Sequence, residues 1–188
     1  MLTDSGRWLA GRYHGVAVPD WTTAMLDAMR AAGIRNLSYV ADSMLGGVIA
    51  AAEAAGDVRL IPVHREEEAV GVVCGLYVGG QRGAMLLQSS GLGNCLNALG
   101  ALAIASRIPV PLFIGMRGEL DEWNPAQLPM GRAVPGCLDA LHVPSISLME
   151  PHLVGPIVAG ALKSCFASGQ PFGILLSALL TRTVERRK

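Results

Sequence analysis

Apolar positions recur along this chain with two periods in alternation. Over residues 20–32, Met25, Leu26 and Met29 return at helical spacing and Gly33 ends the run. Residues 36–40 form a short apolar segment with strand character. Residues 43–55 are a small-residue helix that stops at Gly56, and 59–63 read as a second strand. A helix over 66–78 ends at Gly79-Gly80. It is followed by a strand at 83–88, a helix over 94–106 and a strand at 110–114. Residues 116–130 are polar and Pro-containing and read as a long loop. The pattern then predicts a helix over 134–141, a strand at 144–148, a helix over 153–167 and a closing strand at 172–177.

Strands that alternate with helices at this spacing predict an α/β fold: a mostly parallel sheet with helices on both faces, in a single domain over residues 20–188. The strands are continuous apolar runs (AMLLQ, VPLFIG, FGILLS), as they must be when both faces of a sheet are covered. Residues 1–19 fit the pattern poorly and read as an N-terminal arm. In such a sheet, ligands sit where strands end at their carboxyl side. The segments just after the strands are therefore the candidates for chemistry. They are Ala41-Asp42-Ser43, His64 to Glu68, Ser89 to Asn94, and Arg117-Gly118-Glu119.

Composition narrows the function class. Fifteen basic and fifteen acidic residues cancel, and aromatics are 5%, so there is no footprint for nucleic acid. The hydrophobic fraction is 51%, the charged fraction 16% and the mean hydropathy +0.40. These values suit a large buried sheet, a large subunit interface, or both. No segment suits a membrane span, since the most apolar stretch, 98–115, carries Arg107, Pro109 and Pro111. Asp4, Arg7 and Arg12 break any signal-peptide core. Cys74, Cys95, Cys137 and Cys165 are widely spaced in apolar surroundings. They read as reduced core thiols of a cytoplasmic protein, with neither a disulfide frame nor a zinc site. No two histidines lie three to five residues apart, and no Gly-x-Ser-x-Gly elbow is present.

Two constellations remain. Ser89 to Asn94 (SSGLGN) follows a strand and opens a helix. It is either a tight turn capped by Asn94 or a turn whose amides meet a polar ligand. It lacks one glycine of the dinucleotide fingerprint and the acidic residue that would follow about twenty positions on. Glu66-Glu67-Glu68 opens the helix that continues AVGVVCGLYV. Carboxylates in a first turn are favoured by the helix dipole. Successive helical residues point about 100° apart, however, and this helix is apolar almost all round. At least one of the three glutamates must then face protein or a cofactor, which makes it a candidate acid–base group. The loop over 117–130 reads as a lid, an interface arm or a plain surface loop.

At these residues the chain resembles the pyrimidine-binding domain of thiamine-diphosphate-dependent enzymes. The resemblance is nearest to the sulfopyruvate and phosphonopyruvate decarboxylases, in particular the separate α subunits. It runs from about residue 24 to 177. It is carried by ADSMLGGVI at 41–49, HREEEAVGVVCGLYVGG at 64–80, MLLQSSGLGNCLNALGAL at 85–102 and GMRGELDEWNPAQLPMG at 115–131.

This resemblance implies that Glu66, nine residues before Gly75, is the glutamate that hydrogen-bonds the cofactor's aminopyrimidine ring and governs its tautomer. It makes Glu67 and Glu68 ordinary helix-start acids. It assigns Ser90, Gly91, Leu92, Gly93 and Asn94 to the cofactor, and Asp42, Ser43, Ser89 and Asn94 to the substrate. Relatives usually carry Asn where this chain has Ser89 and Pro where it has Ala41, which bears on specificity for sulfonate or phosphonate. The family's Gly-Asp-Gly motif for magnesium and diphosphate is missing here, because Gly56-Asp57 is followed by Val58. The implied protein is therefore the pyrimidine-domain (alpha) subunit of a hetero-oligomeric 2-oxoacid decarboxylase. A diphosphate-domain beta subunit would supply most of the Mg2+ site, and thiamine diphosphate would lie across the interface. Its rivals are a thiamine-dependent carboligase subunit, a catalytically silent binding or regulatory subunit, and an unrelated nucleotide-binding α/β domain using the 89–94 turn.

Overall fold

The computed structural model describes residues 20–181; the expected arm at 1–19 and the basic end at 182–188 lie outside them. Six strands form one parallel sheet in the order β2-β1-β3-β4-β6-β5. They are β1 (Ile34–Tyr39), β2 (Arg59–Pro62), β3 (Arg82–Gln88), β4 (Pro111–Gly115), β5 (Ser145–Leu148) and β6 (Phe172–Leu176). The main helices are α1 (Asp20–Ala31), α2 (Gly46–Ala55), α3 (Glu66–Val78), α4 (Leu92–Ala98), α5 (Leu128–Ala140), α6 (Val154–Ser168) and a short α7 (Ala178–Thr181). The sheet is all-parallel, and helices cover both of its faces, as the sequence pattern predicts.

The period of two within the strands builds two cores. Ala84 and Leu86 of β3 and Phe113 of β4 face α1, α2 and α6, where Met25, Met29, Val48, Ile49, Val158 and Leu162 are buried. Met85 and Leu87, with Leu112 and Ile114, face α3, α4 and α5 and meet Val70, Val73, Leu99, Val134 and Leu138. With both faces covered, alternation sorts the apolar side chains of the central strands between two helical layers, so β3 and β4 read as continuous apolar runs, while the edge strand β5 (SISL) alternates.

The chain leaves β1 toward β2 and leaves β3 the opposite way toward β4, so its direction across the sheet reverses first between β1 and β3. Neighbouring strands that lead away from each other open a crevice at their carboxyl ends. The first crevice lies between the segments after β1 and β3, which hold Asp42 and Ser89 to Asn94.

Three element boundaries differ from the expectation. The helix expected to start at Ser43 starts at Gly46, because the Asp42 carboxylate takes the Met44 amide at 2.8 Å and holds 43–45 as a turn. The helix expected over 134–141 starts at Leu128 and runs through Pro135. Asn124 caps the preceding 3-10 turn by accepting the Ala126 amide at 3.1 Å. The Pro-containing stretch therefore begins a helix, with Pro129 in its first turn where no donor is needed. The helix expected over 94–106 begins as a 3-10 turn at Ser89–Gly91, becomes α4 at Leu92, and widens to a π-helix over Leu99–Ile104. Asn94 thus lies inside the helix and does not cap it.

Candidate functional site

The site is built on the amino-terminal ends of α3 and α4, which pack side by side against the carboxyl edge of β3. Glu66 is the first residue of α3 and is half-buried. Its Oε2 accepts from Asn94 Nδ2 at 3.1 Å, while Oε1 has no partner among the described residues. The carboxyl lies in the space that Gly91 leaves open. A Cβ at Gly91 would overlap the Glu66 Cγ, Cδ and Oε1. Gly91 is therefore required by close approach, at an ordinary helical φ of −75°.

The other two glutamates separate by role. Glu68 is exposed, and its Oε2 takes the His64 amide at 3.2 Å, closing the start of α3 from below. Glu67 bonds Arg65 Nε through Oε1 at 2.6 Å, and its Oε2 is buried without a partner. The Arg65 hydrogen bond holds Glu67 below the usual carboxylate range. Glu67 is thus paired and partly enclosed, a little less ordinary than a solvated helix-start acid.

Asp42 and Gln88 join the two sides of the crevice. Gln88 Nε2 donates to Asp42 Oδ2, and Gln88 Oε1 accepts from Ser90 Oγ at 2.5 Å. No local motif marks Gln88. Its signal was its place as the last residue of an otherwise apolar strand, at the carboxyl edge. Ser43 is exposed beside Asp42. Leu92 is buried in the core and holds the turn by packing, whereas Gly93 is exposed, with the Met130 methyl in front of it.

Ser89 is fully buried, and its Oγ accepts the Arg117 amide at 3.1 Å. Its hydroxyl therefore ties the post-β4 loop to the site floor. That loop is clamped by Glu122, whose side chain is 0% exposed. Arg117 Nε and Nη2 reach it at 2.6 and 2.8 Å, and the Gly118 and Asn124 amides add bonds of 3.2 and 3.0 Å. This charge-assisted set, led by Arg117, lowers the Glu122 pKa to about 2. Gly131 lets α5 seat against the loop, since a Cβ there would overlap the Arg117 carbonyl. Glu119 then takes Ser177 Oγ at 2.6 Å and the Ala178 amide at 2.8 Å, fastening the loop to α7.

Cys95 sits beneath the Glu66 turn, with its thiol pushed up to about 12 by burial and then by the nearby glutamates. Burial raises Cys74 to about 11 and Cys165 to about 12. These are packing thiols with no thiolate to offer. Among the described residues no group of three or more His, Cys, Asp or Glu side chains could hold a metal ion, and no helix is long and apolar enough to cross a membrane.

No family model matches the chain. Individual relatives do. It is 40% identical over 123 residues to the sulfopyruvate decarboxylase subunit alpha of Methanococcus maripaludis, covering 65% of this chain and 74% of the relative. It is 33% identical over 156 residues to the same subunit of Methanocaldococcus jannaschii, covering 83% of this chain and 92% of the relative. The chain belongs to the family of sulfopyruvate decarboxylase alpha subunits. The family is thus one of decarboxylases, which are carboxy-lyases. A longer relative, the sulfopyruvate decarboxylase of Methanosarcina acetivorans, is 33% identical over 117 residues, 62% of this chain and 30% of its own. Among solved structures, the 2-oxoglutarate:ferredoxin oxidoreductase of Magnetococcus marinus superimposes with a TM-score of 0.69 at 15% identity. That match covers 88% of this chain and 30% of the other, and it is a likeness of fold.

Proposed function

We propose that this chain is the pyrimidine-binding alpha subunit of a thiamine-diphosphate-dependent 2-oxoacid decarboxylase acting on sulfopyruvate or a close analogue. The observation that carries the reading is Glu66: a carboxylate on a helix N-terminus at the carboxyl edge of the sheet, with one oxygen held by Asn94 and the other open. That donor set fits an aminopyrimidine, whose ring nitrogen needs one carboxyl partner for one proton. The space that Gly91 leaves for the carboxyl supports the fit. When bound, thiamine diphosphate supplies a thiazolium carbon that adds to the keto group and accepts the electrons left by carbon dioxide.

This chain's own residues hold and move one proton. Glu66 keeps it at its open oxygen. Asn94 orients the carboxyl through the other oxygen, and burial of Cys95 and Leu92 beneath them keeps water from that side. Asp42 and Ser43 line the mouth through which the oxoacid comes, and Ser89 fixes the loop that borders it.

Magnesium and the diphosphate belong, in this reading, to a separate beta subunit. The relatives named as alpha subunits support a second chain, and so does the longer single-chain relative, of which this chain matches only 30%. The complex would be a hetero-oligomer in the reducing cytoplasm, where the four free cysteines stay unpaired. The test is reconstitution with the beta subunit, followed by assay of carbon dioxide release from a panel of 2-oxoacids. Turnover of sulfopyruvate that depends on both subunits and on thiamine diphosphate is the expected result. Thiamine-independent turnover, or none on any oxoacid, overturns the reading.

A further inference from the structure

We propose that Gln88 is a positioning residue that fixes the polarity of the Asp42–Gln88–Ser90 chain, so that Ser90 meets the bound ligand as a hydrogen-bond acceptor. The inference rests on the thiamine reading above and deepens it by dividing the site between donor-bearing and acceptor-only ligands.

The argument is an inventory of donors and acceptors. A carboxylate only accepts, and Asp42 already accepts the Met44 amide through Oδ1 at 2.8 Å. The Gln88 group that meets Oδ2 must therefore be its NH2. With the amide turned that way, Gln88 presents its oxygen to Ser90, 2.5 Å from Oγ. An amide oxygen has no proton, so Ser90 must donate its single hydrogen inward. Both lone pairs of Oγ then remain for the crevice. The charge of one carboxylate, passed through one amide, decides what a serine two residues further on can recognise. A hydroxyl alone has no such preference, because it rotates to suit its partner.

The consequence concerns which ligand Ser90 serves. A 2-oxoacid carrying a carboxylate and a sulfonate has only acceptors and gains nothing from Ser90. An aminopyrimidine carries an exocyclic amino group, which is a donor. Ser90 thus belongs with the amino group of the cofactor, and the anionic substrate must find its donors elsewhere along the edge.

The experiment uses the reconstituted complex. Thiamine diphosphate binding is measured by titration calorimetry, alongside the KM for sulfopyruvate, for the wild type, Ser90→Ala, Gln88→Glu, Gln88→Met and the Ser90→Ala/Gln88→Met pair. Ser90→Ala is expected to weaken cofactor binding about tenfold, the size of one lost hydrogen bond, while KM moves less than about twofold. The double variant should be no weaker than the worse single one, because the two residues act as one chain. Gln88→Glu keeps the shape and sets two carboxylates together. Its cofactor affinity should fall as pH rises from about 5 to about 8 while wild type stays flat, since a shared proton is needed to join the pair. Should Gln88→Met fail to fold, Ser90→Ala and the Gln88→Glu pH profile decide alone.

A Ser90→Ala change that raises KM and spares cofactor binding overturns the proposal, as does a pH-independent Gln88→Glu or full additivity of the pair. Each of these leaves the thiamine reading standing. A wild-type complex that binds no thiamine diphosphate removes that reading, and this proposal with it.

Discussion

Glu66 and Gly91 are in close approach at the centre of the site, and each makes a separate prediction. Glu66→Gln keeps size and one hydrogen bond but cannot carry the proton. Turnover of the complex should fall about 100- to 10,000-fold with folding and assembly unchanged. Deuterium exchange at the thiazolium carbon reads the same step directly. Glu68→Gln, on an exposed side chain, should cost less than about tenfold. Glu67→Gln removes the Arg65 pair, and its effect should fall on the stability of the α3 start before it falls on exchange. Wild-type exchange in Glu66→Gln with loss in Glu67→Gln would shift the assignment by one residue. Gly91→Ala forces a methyl into the Glu66 carboxyl. The expected result is a large loss of turnover with a small change in melting temperature, because Glu66 can swing outward and relieve the clash.

At the scale of elements, the post-β4 loop behaves as a clamped strut. Glu122 is enclosed with Arg117, itself 12% exposed, and removing one partner of such a pair costs about 3–5 kcal/mol. Glu122→Ala should therefore destabilise the chain by about that amount, measured by urea unfolding, and loosen the attachments at Ser89 and Glu119. The pair also sets an acid limit. The Glu122 pKa is about 2 in the fold against an ordinary 4.5, so the unfolded chain takes up the proton first as pH falls. This contribution is complete above about pH 4.5 and is lost between there and about pH 2. Wild type should show that slope in stability against pH, and Glu122→Ala should flatten it. Nothing in the sequence marked Glu122. A polar loop of this length reads as solvated, and only the return of the chain from β4 to α5 encloses one of its acids. The helix start at Leu128 was hidden for a related reason. Pro129 and Pro135 argue against a helix locally, yet the first sits where the donor is unneeded and the second is held by packing of Val134 and Leu138 on the sheet.

On the scale of the whole molecule, the apolar excess in the composition is only partly buried. Trp123 is 83% exposed and Leu120 77%, on the clamped loop, and Leu179 is exposed on α7, which Glu119 fastens to that loop. All three lie at the carboxyl edge of the sheet, the side that holds Glu66. A rigidly presented Trp is the kind of anchor on which a subunit contact depends, with the leucines beside it as surrounding apolar surface. In the proposed complex, Trp123→Ala should raise the dissociation constant for the beta subunit at least tenfold, read by analytical ultracentrifugation, while the chain's own melting temperature stays put. The isolated chain should bind thiamine diphosphate weakly, and magnesium should add little. Tight, magnesium-dependent binding by this chain alone would remove the need for a second subunit.

The sequence by itself determined the layered α/β fold and the place of the ligand edge, and it narrowed the acid–base candidates to three adjacent glutamates, among which the resemblance implies Glu66. Those features depend on periodicity and on the order of short motifs, which are written along the chain. The tertiary structure alone decided that Asn94 lies inside a helix and faces Glu66, that Ser89 is a buried tie, and that Gln88 links Asp42 to Ser90. It also decided that Arg117 and Glu122 form an enclosed pair. The physical reason is the same in each case. A hydrogen-bond partner is chosen by distance across the crevice, between strands that are neighbours in the sheet and far apart in the chain, and no local pattern records that distance.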